Sequence, residues 1–180
     1  MASYIALLRA INLAGKNVVA MSELRALVAE LGFASPTTLL QSGNVVFEGK
    51  PRATARVEAD LEKAAKARFG FDVGVMVRTG DEWADLIARN PFPKEAERDP
   101  GHLLVLLLKD AIDAKRVAAL EAAIVGRECI RALGRQVYAV YPDGVGRSKL
   151  TNAVIEKHLG VRATGRNWNT VLKIKELACG

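Results

Sequence analysis

Two glycines, a serine and two cations stand close together in Pro142–Asn152, PDGVGRSKLTN. Within it, Gly144 to Thr151 reads as a glycine loop running into a helix. Free N–H groups there, together with Arg147 and Lys149, would suit an anion such as phosphate. The plainer use of the same residues is Ser148 as a helix cap and the glycines as turn formers. The spacing is not that of a P-loop. Arg162–Ala178, RATGRNWNTVLKIKELA, opens a second helix with Arg166, Asn167 and Trp168. Asn167 can cap that helix, Arg166 can face a ligand, and Trp168 can either anchor on the core or stack on a base. In the first half, Arg9, Asn12, Lys16 and Asn17 sit in one polar loop, and Gln41, Ser42 and Asn44 flank a turn. A loop after a strand is a usual place for a site, yet Asn, Gly and Ser are also ordinary turn residues.

Catalytic and metal signatures are thin. His102 and His158 are the only histidines, and neither falls in a metal spacing or a recognisable triad. Cys129 lies in an expected strand and reads as a small core residue; Cys179 is penultimate. Asp81, Asp85, Glu95, Glu97 and Asp99 fall in a charged connecting region, where carboxylates are solvated. No cofactor and no metal are implied. The aromatic signature by which an α-β plait binds RNA is missing, and Tyr138 and Tyr141, three apart on one strand, face opposite sides.

The elements that position these residues follow from periodicity. The expected order is strand Tyr4–Leu8, helix Met21–Leu31, strands Thr37–Gln41 and Asn44–Glu48, helix Pro51–Phe69 and strand Phe71–Arg78. Ser22 offers a cap or a first-turn residue for the first helix and Gly32 its stop. A linking helix Thr79–Asn90 and a charged loop Lys94–Gly101 come next. The pattern then repeats as strand Leu103–Leu108, helix Ala114–Ile124, strands Glu128–Leu133 and Gln136–Tyr141, helix Ser148–Leu159, strand Val161–Thr164 and a final helix Asn167–Ala178. Twice over, this is the β-α-β-β-α-β motif, with helices on one face of a four-stranded antiparallel sheet. The expected class is therefore α+β, with two ferredoxin-like (α-β plait) halves. Residues 1–78 form the first plait, 79–101 the linking helix and loop, and 102–180 the second plait with its terminal helix.

Half of the 180 residues are hydrophobic, enough for a core without staples. The longest apolar run, Leu103–Leu108, is too short to span a bilayer, and the N-terminus lacks a basic start. Two widely separated cysteines fit a reduced, cytoplasmic protein. The net charge is +6 and sits mainly in the second half, where residues 91–180 carry 15 Lys/Arg against 10 Asp/Glu. From Arg147 to Lys175 there are seven cations and one acid, Glu156. That balance suits a phosphorylated small molecule or nucleic acid as partner.

Four segments carry a resemblance. Tyr4–Asn17, YIALLRAINLAGKN, resembles the opening YIALLRGINVGGKN of the bacterial domain-of-unknown-function family numbered 1697. Gln41–Phe47 matches its QSGNVVF, Arg166–Lys173 its RNWNTVLK, and Gly146–Thr151 its GxSKLT segment. The resemblance implies the two-plait fold and no activity. Where the family pattern has two glycines this chain has Ala10 and Ala14, residues not expected at positive φ. Three readings of function stand. The first is a non-catalytic module binding a phosphate-bearing ligand or nucleic acid through Arg147, Ser148, Lys149 and Arg166, with Arg9, Asn12 and Lys16 in reserve. The second is an enzyme on a small phosphorylated or polar substrate, oriented by Asn12, Ser42, Asn44 and Asn167. The third gives the motifs a purely structural role.

Overall fold

The computed structural model describes residues 1–179. Its elements are β1 (Ala2–Leu8), α1 (Met21–Glu30), β2 (Ala34–Leu39), β3 (Asn44–Gly49), α2 (Thr54–Phe69) and β4 (Val75–Thr79). Next come α3 (Gly80–Ala88), α4 (Pro93–Arg98), β5 (Leu103–Leu108), α5 (Ala114–Ala123), β6 (Cys129–Leu133) and β7 (Gln136–Val140). The chain ends with α6 (Asn152–Leu159), β8 (Ala163–Asn167) and α7 (Trp168–Cys179). Two four-stranded antiparallel sheets result, ordered β2-β3-β1-β4 and β6-β7-β5-β8. This is the ferredoxin-like order, twice. The chain divides into two compact units, Met1–Asp85 with the residues from Lys173 onward, and Leu86–Leu172. The divisions fall inside α3 and α7. None of the helices among the described residues is long and apolar enough to cross a membrane.

Alternation along each strand decides what each face buries. In the first unit Tyr4, Ala6, Leu8, Val45, Phe47, Val75 and Val77 pack under Leu24, Leu27 and Val28 of α1 and Val57, Leu61 and Ala65 of α2. Tyr4, Phe33 and Phe47 form an aromatic cluster, with Phe33 and Phe47 centroids 4.6 Å apart. In the second unit Leu106, Leu108, Val137, Ala139 and Tyr141 lie with Leu120, Ile155 and Leu159. On the opposite faces Ile5, Leu7, Met76, Val105 and Leu107 are buried as well.

Each unit closes an edge strand with a helix carboxylate. Val77 N donates to Glu58 Oε1 at 2.9 Å and Val75 N to Glu62 Oε1 at 3.0 Å, so α2 satisfies the free edge of β4. Ala163 N donates to Glu156 Oε2 at 2.8 Å, so α6 does the same for β8. Glu58 is fully inside, 3% exposed, with the Arg78 guanidinium 4.0 Å away.

Several expected boundaries are corrected. Lys94–Gly101 is not a loop: Pro93 starts the short helix α4, and Pro100–His102 forms a 3-10 turn. The first helix starts without a side-chain cap, because Ala20 holds the N-cap place and Ser22 lies in the first turn. The strand expected at Thr37–Gln41 is shifted to Ala34–Leu39, and its pairing slips between Ala34 and Thr37 around Pro36, as a proline in an edge strand requires. The strand expected at Phe71 begins only at Val75. α6 starts at Asn152, four residues after Ser148, because Thr151 accepts the Val154 N–H and is the cap. The last strand runs Ala163–Asn167, so Asn167 ends a strand rather than beginning a helix.

The buried Glu58 carboxylate yields a direct expectation. Glu58→Ala leaves the Val77 N–H and a buried guanidinium short of their acceptor, and should cost about 2–4 kcal/mol in urea unfolding. Glu62→Ala, at a partly exposed position, should cost about 1 kcal/mol.

Candidate functional site

The hairpin of β6 and β7 builds the first cluster. Cys129 pairs with Val140, so the residues preceding β6 lie beside those following β7. Val125, Gly126, Glu128, Asp143, Arg147, Ser148 and Lys149 thereby line a cleft of about 280 Å³. Gly144, at φ 86°, turns the chain after β7, and Val145–Arg147 forms a single 3-10 turn. The segment is pinned from inside: Leu150 is buried, and the Tyr141 hydroxyl donates to its carbonyl at 3.1 Å. Burial, followed by the Glu128 charge, pushes the Tyr141 hydroxyl up to about 12, so it stays a neutral donor.

Inside the cleft the Ser148 hydroxyl donates to Glu128 Oε1 at 2.6 Å and accepts from Leu150 N at 3.0 Å. Its proton is thus committed to a carboxylate. Gly126 leaves room for that carboxylate: a Cβ at 126 would sit 2.5 Å from Glu128 Oε2. Arg127 grips Asp143 with two hydrogen bonds, one of them Nε to Oδ2 at 3.0 Å. That pairing holds the Asp143 carboxyl below the usual carboxylate range, and it raises the guanidinium. Both side chains are more than half exposed, so the pair fixes geometry and adds little stability. His102 Nδ1 lies 2.8 Å from Asp99 Oδ2. Arg147 and Lys149 are exposed and carry no carboxylate partner within salt-bridge distance among the pairs described. A larger groove of about 420 Å³, lined by Ile112, Ala114, Val117, Ala118, Glu121, Arg131, Ala132 and Gly134, contains none of the expected site residues.

Arg166 and Asn167 do not join this cleft. Arg166 lies within β8 and is 8% exposed, with Nη1 on Thr164 Oγ1 at 2.8 Å and Gly165 O at 2.9 Å. Burial lowers its guanidinium to about 10. It stands opposite Val105, on the face of the sheet away from Leu106, Leu108 and Ala163, and is buried there with its guanidinium engaged by its own strand. Asn167 Oδ1 accepts from Thr170 N at 3.0 Å and caps α7; Trp168 is 5% exposed. The first unit shows why. Arg78 occupies the equivalent register place, opposite Ile5 as Arg166 is opposite Val105, and its Nη1 also takes the preceding carbonyl at 2.9 Å. Thr79 follows it and accepts from Glu82 N at 3.1 Å, as Asn167 does from Thr170. Reading VMVRT of β4 beside ATGRN of β8 exposes the match.

Asn12, Ser42 and Asn44 lie in a second cluster, in the first unit, while Arg9 and Lys16 are tied there by their backbone N–H groups, to Gly74 O and Leu13 O. Asn12 Nδ2 donates to Gln41 O at 2.8 Å and Val19 O at 3.0 Å, and its Oδ1 accepts from Val19 N at 2.8 Å. Asn44 Nδ2 donates to Leu39 O at 2.8 Å and Ser42 Oγ at 3.1 Å. The two sequence motifs are thus one hydrogen-bonded unit, with Gly43 seated so closely that a Cβ would lie 2.7 Å from Ile11 Cδ1. Ala10, Asn12, Ala14 and Asn17 all have φ between 49° and 56°. The alanines therefore adopt the left-handed conformation that their side chains disfavour, contrary to expectation. Cys129, expected in the core, is exposed. Glu128, Asp143, Arg127 and Gly126 were not among the expected site residues; the hairpin register was the signal that places them beside Arg147–Lys149.

Two changes test the first-unit loop by thermal and urea unfolding. Asn12→Ala removes three hydrogen bonds, and an alanine is poorly suited to the conformation; it should cost about 2–4 kcal/mol. Ala10→Gly and Ala14→Gly relieve left-handed strain and should each raise stability by about 0.5–1 kcal/mol, after the added entropy of the unfolded chain is subtracted.

Comparison with known proteins agrees with this architecture. The structure of a conserved bacterial protein, SP0830 from Streptococcus pneumoniae, superposes with a TM-score of 0.75 at 21% identity, covering 98% of each chain. No curated protein matches the chain significantly. The sequence model of a family described as a protein of unknown function (DUF1697) matches residues 1–138; the segments Gly146–Thr151 and Arg166–Lys173 lie beyond the matched range. With more than half its length matched, the chain belongs to the DUF1697 family of proteins of unknown function.

Proposed function

We propose that this protein is a binding module, without catalysis, for a phosphate-bearing ligand, and that the ligand is held at the cleft between the start of β6 and the loop after β7. The observation that carries this reading is the placement of Arg147 and Lys149, both exposed, on either side of Ser148 at one cleft wall. With Asp143 neutralised by Arg127, these two cations set the sign of the potential at the mouth. The surplus of positive charge in the second half of the sequence adds long-range attraction. The site is narrower than the sequence suggested, since Arg166 is engaged inside β8. Reading the protein as an enzyme oriented by Asn12, Ser42, Asn44 and Asn167 draws less support, because those groups hold loops and a helix start.

Thermal unfolding against inorganic phosphate, nucleotides, sugar phosphates and short RNA and DNA tests the reading at low and moderate salt. A ligand-specific rise in Tm is expected, weakened as salt rises. Lys149→Ala and Arg147→Ala should each reduce affinity by about fivefold to tenfold while leaving the Tm of the free protein within about 1 °C. Undiminished binding in both variants would move the site elsewhere.

A further inference from the structure

Taking the cleft as the binding site, we infer that its ligand is a small phosphate monoester carrying a hydroxyl or ammonium donor, of the size of a sugar phosphate or amino-sugar phosphate, and not a nucleic acid. The inference rests on the phosphate-binding reading above and comes from the groups that oppose a bare anion. A site for phosphate alone has no use for a carboxylate within it. Yet Glu128 lines the same cleft as Arg147 and Lys149. Ser148 donates to Oε1 at 2.6 Å, which orients the carboxylate. The second oxygen, Oε2, lies 2.5 Å from the place where any residue but glycine at 126 would put its Cβ. Oε2 therefore lies against Gly126, and glycine and carboxylate together form part of the cleft wall. A carboxylate oxygen accepts and never donates, so its partner in a ligand must bring an N–H or O–H.

The two chemistries thus occupy one small volume. Two cations at the wall formed by Arg147 and Lys149 take the phosphate, and Glu128 Oε2 takes a donor on the ligand's body. About 280 Å³ lies just below the usual range of ligand cavities, roughly 300 to 1,000 Å³. That fits a phosphorylated sugar better than a polymer. A nucleic acid would also drag successive phosphates past Glu128, and each passage of like charges weakens binding. The exposed Val125 at the rim offers a short apolar contact for a sugar face.

Isothermal titration of the full chain with inorganic phosphate, glucose 6-phosphate, glucosamine 6-phosphate and a single-stranded oligonucleotide tests this. Glucose 6-phosphate and glucosamine 6-phosphate should bind about tenfold more tightly than inorganic phosphate, and the ammonium-bearing one most tightly. Glu128→Gln should abolish the preference for the amino sugar phosphate while inorganic phosphate binds more tightly, a like charge having been removed. Gly126→Ala, which displaces the carboxylate and keeps its charge, should cut the sugar-phosphate preference without that gain; circular dichroism confirms that both variants fold. If phosphate binds but the sugar phosphates show no advantage, or the oligonucleotide binds best, the inference falls and the phosphate site stands. If none of the four probes binds, the phosphate-binding reading itself falls.

Discussion

A strand at the end of a sheet exposes backbone N–H groups, and burying them without acceptors costs about 1–3 kcal/mol each. Much of this fold is arranged around that constraint. In both units the crossover helix before the last strand supplies a glutamate to the edge: Glu58 to Val77, and Glu156 to Ala163. Because the acceptor comes from the helix, helix and strand are tied in a fixed register. The solution is not equally costly in the two places. Glu58 is fully buried and lies 4.0 Å from the guanidinium of Arg78, whereas Glu156 keeps some solvent contact. The first unit therefore pays more in desolvation and depends more on its pair being complete.

The repeat reaches further than the order of elements. Arg78 and Arg166 stand at matching register places, and Thr79 and Asn167 cap the helices that follow them. This explains why a segment as suggestive as RNWN need have no ligand. An arginine that directs its guanidinium at the carbonyl before it, followed by a capping side chain, is a way of passing from strand to helix with no residue between. Here the physical account of one half interprets the other, although the sequences outside these positions have little in common.

How far the sequence disclosed all this depends on the range of the interaction. Alternation and helical spacing act over neighbouring residues, so both plaits and their order were legible, as were the turn at Gly134-Arg135 and the stops at Gly32 and Gly160. Starts were harder. Ser148 and Thr151 are equally good caps by type, and what decides for Thr151 is that Ser148 is engaged by Glu128, twenty residues earlier. The same hydrogen bond defines the cleft, so the error in the helix boundary and the omission of Glu128 have one cause. Arg166 shows a related limit. A cation in a polar run looks solvated, yet Arg166 is buried beside Val105 with its guanidinium on Thr164 and Gly165. At Ala10 and Ala14 the side chain argued against positive φ, but hydrogen bonds from Asn12 to Gln41 and Val19 override a local penalty of about 1–2 kcal/mol per residue.

Net charge was the weakest guide to the cleft. A surplus of cations in the second half describes attraction at a distance, where fields from all residues add. At contact range only the nearest groups count, and there the balance is different. Asp143 is gripped by Arg127 and also feels Arg147, while the hydrogen bond printed for Glu128 comes from a neutral hydroxyl. Beside Arg147 and Lys149 that leaves a field with two signs a few ångströms apart. Such a field discriminates by shape as well as by charge, because a ligand gains from it only when its anionic and donor ends are separated to match. The basic half therefore accounts for why an anion would approach this face, and Glu128 for which anions would stay.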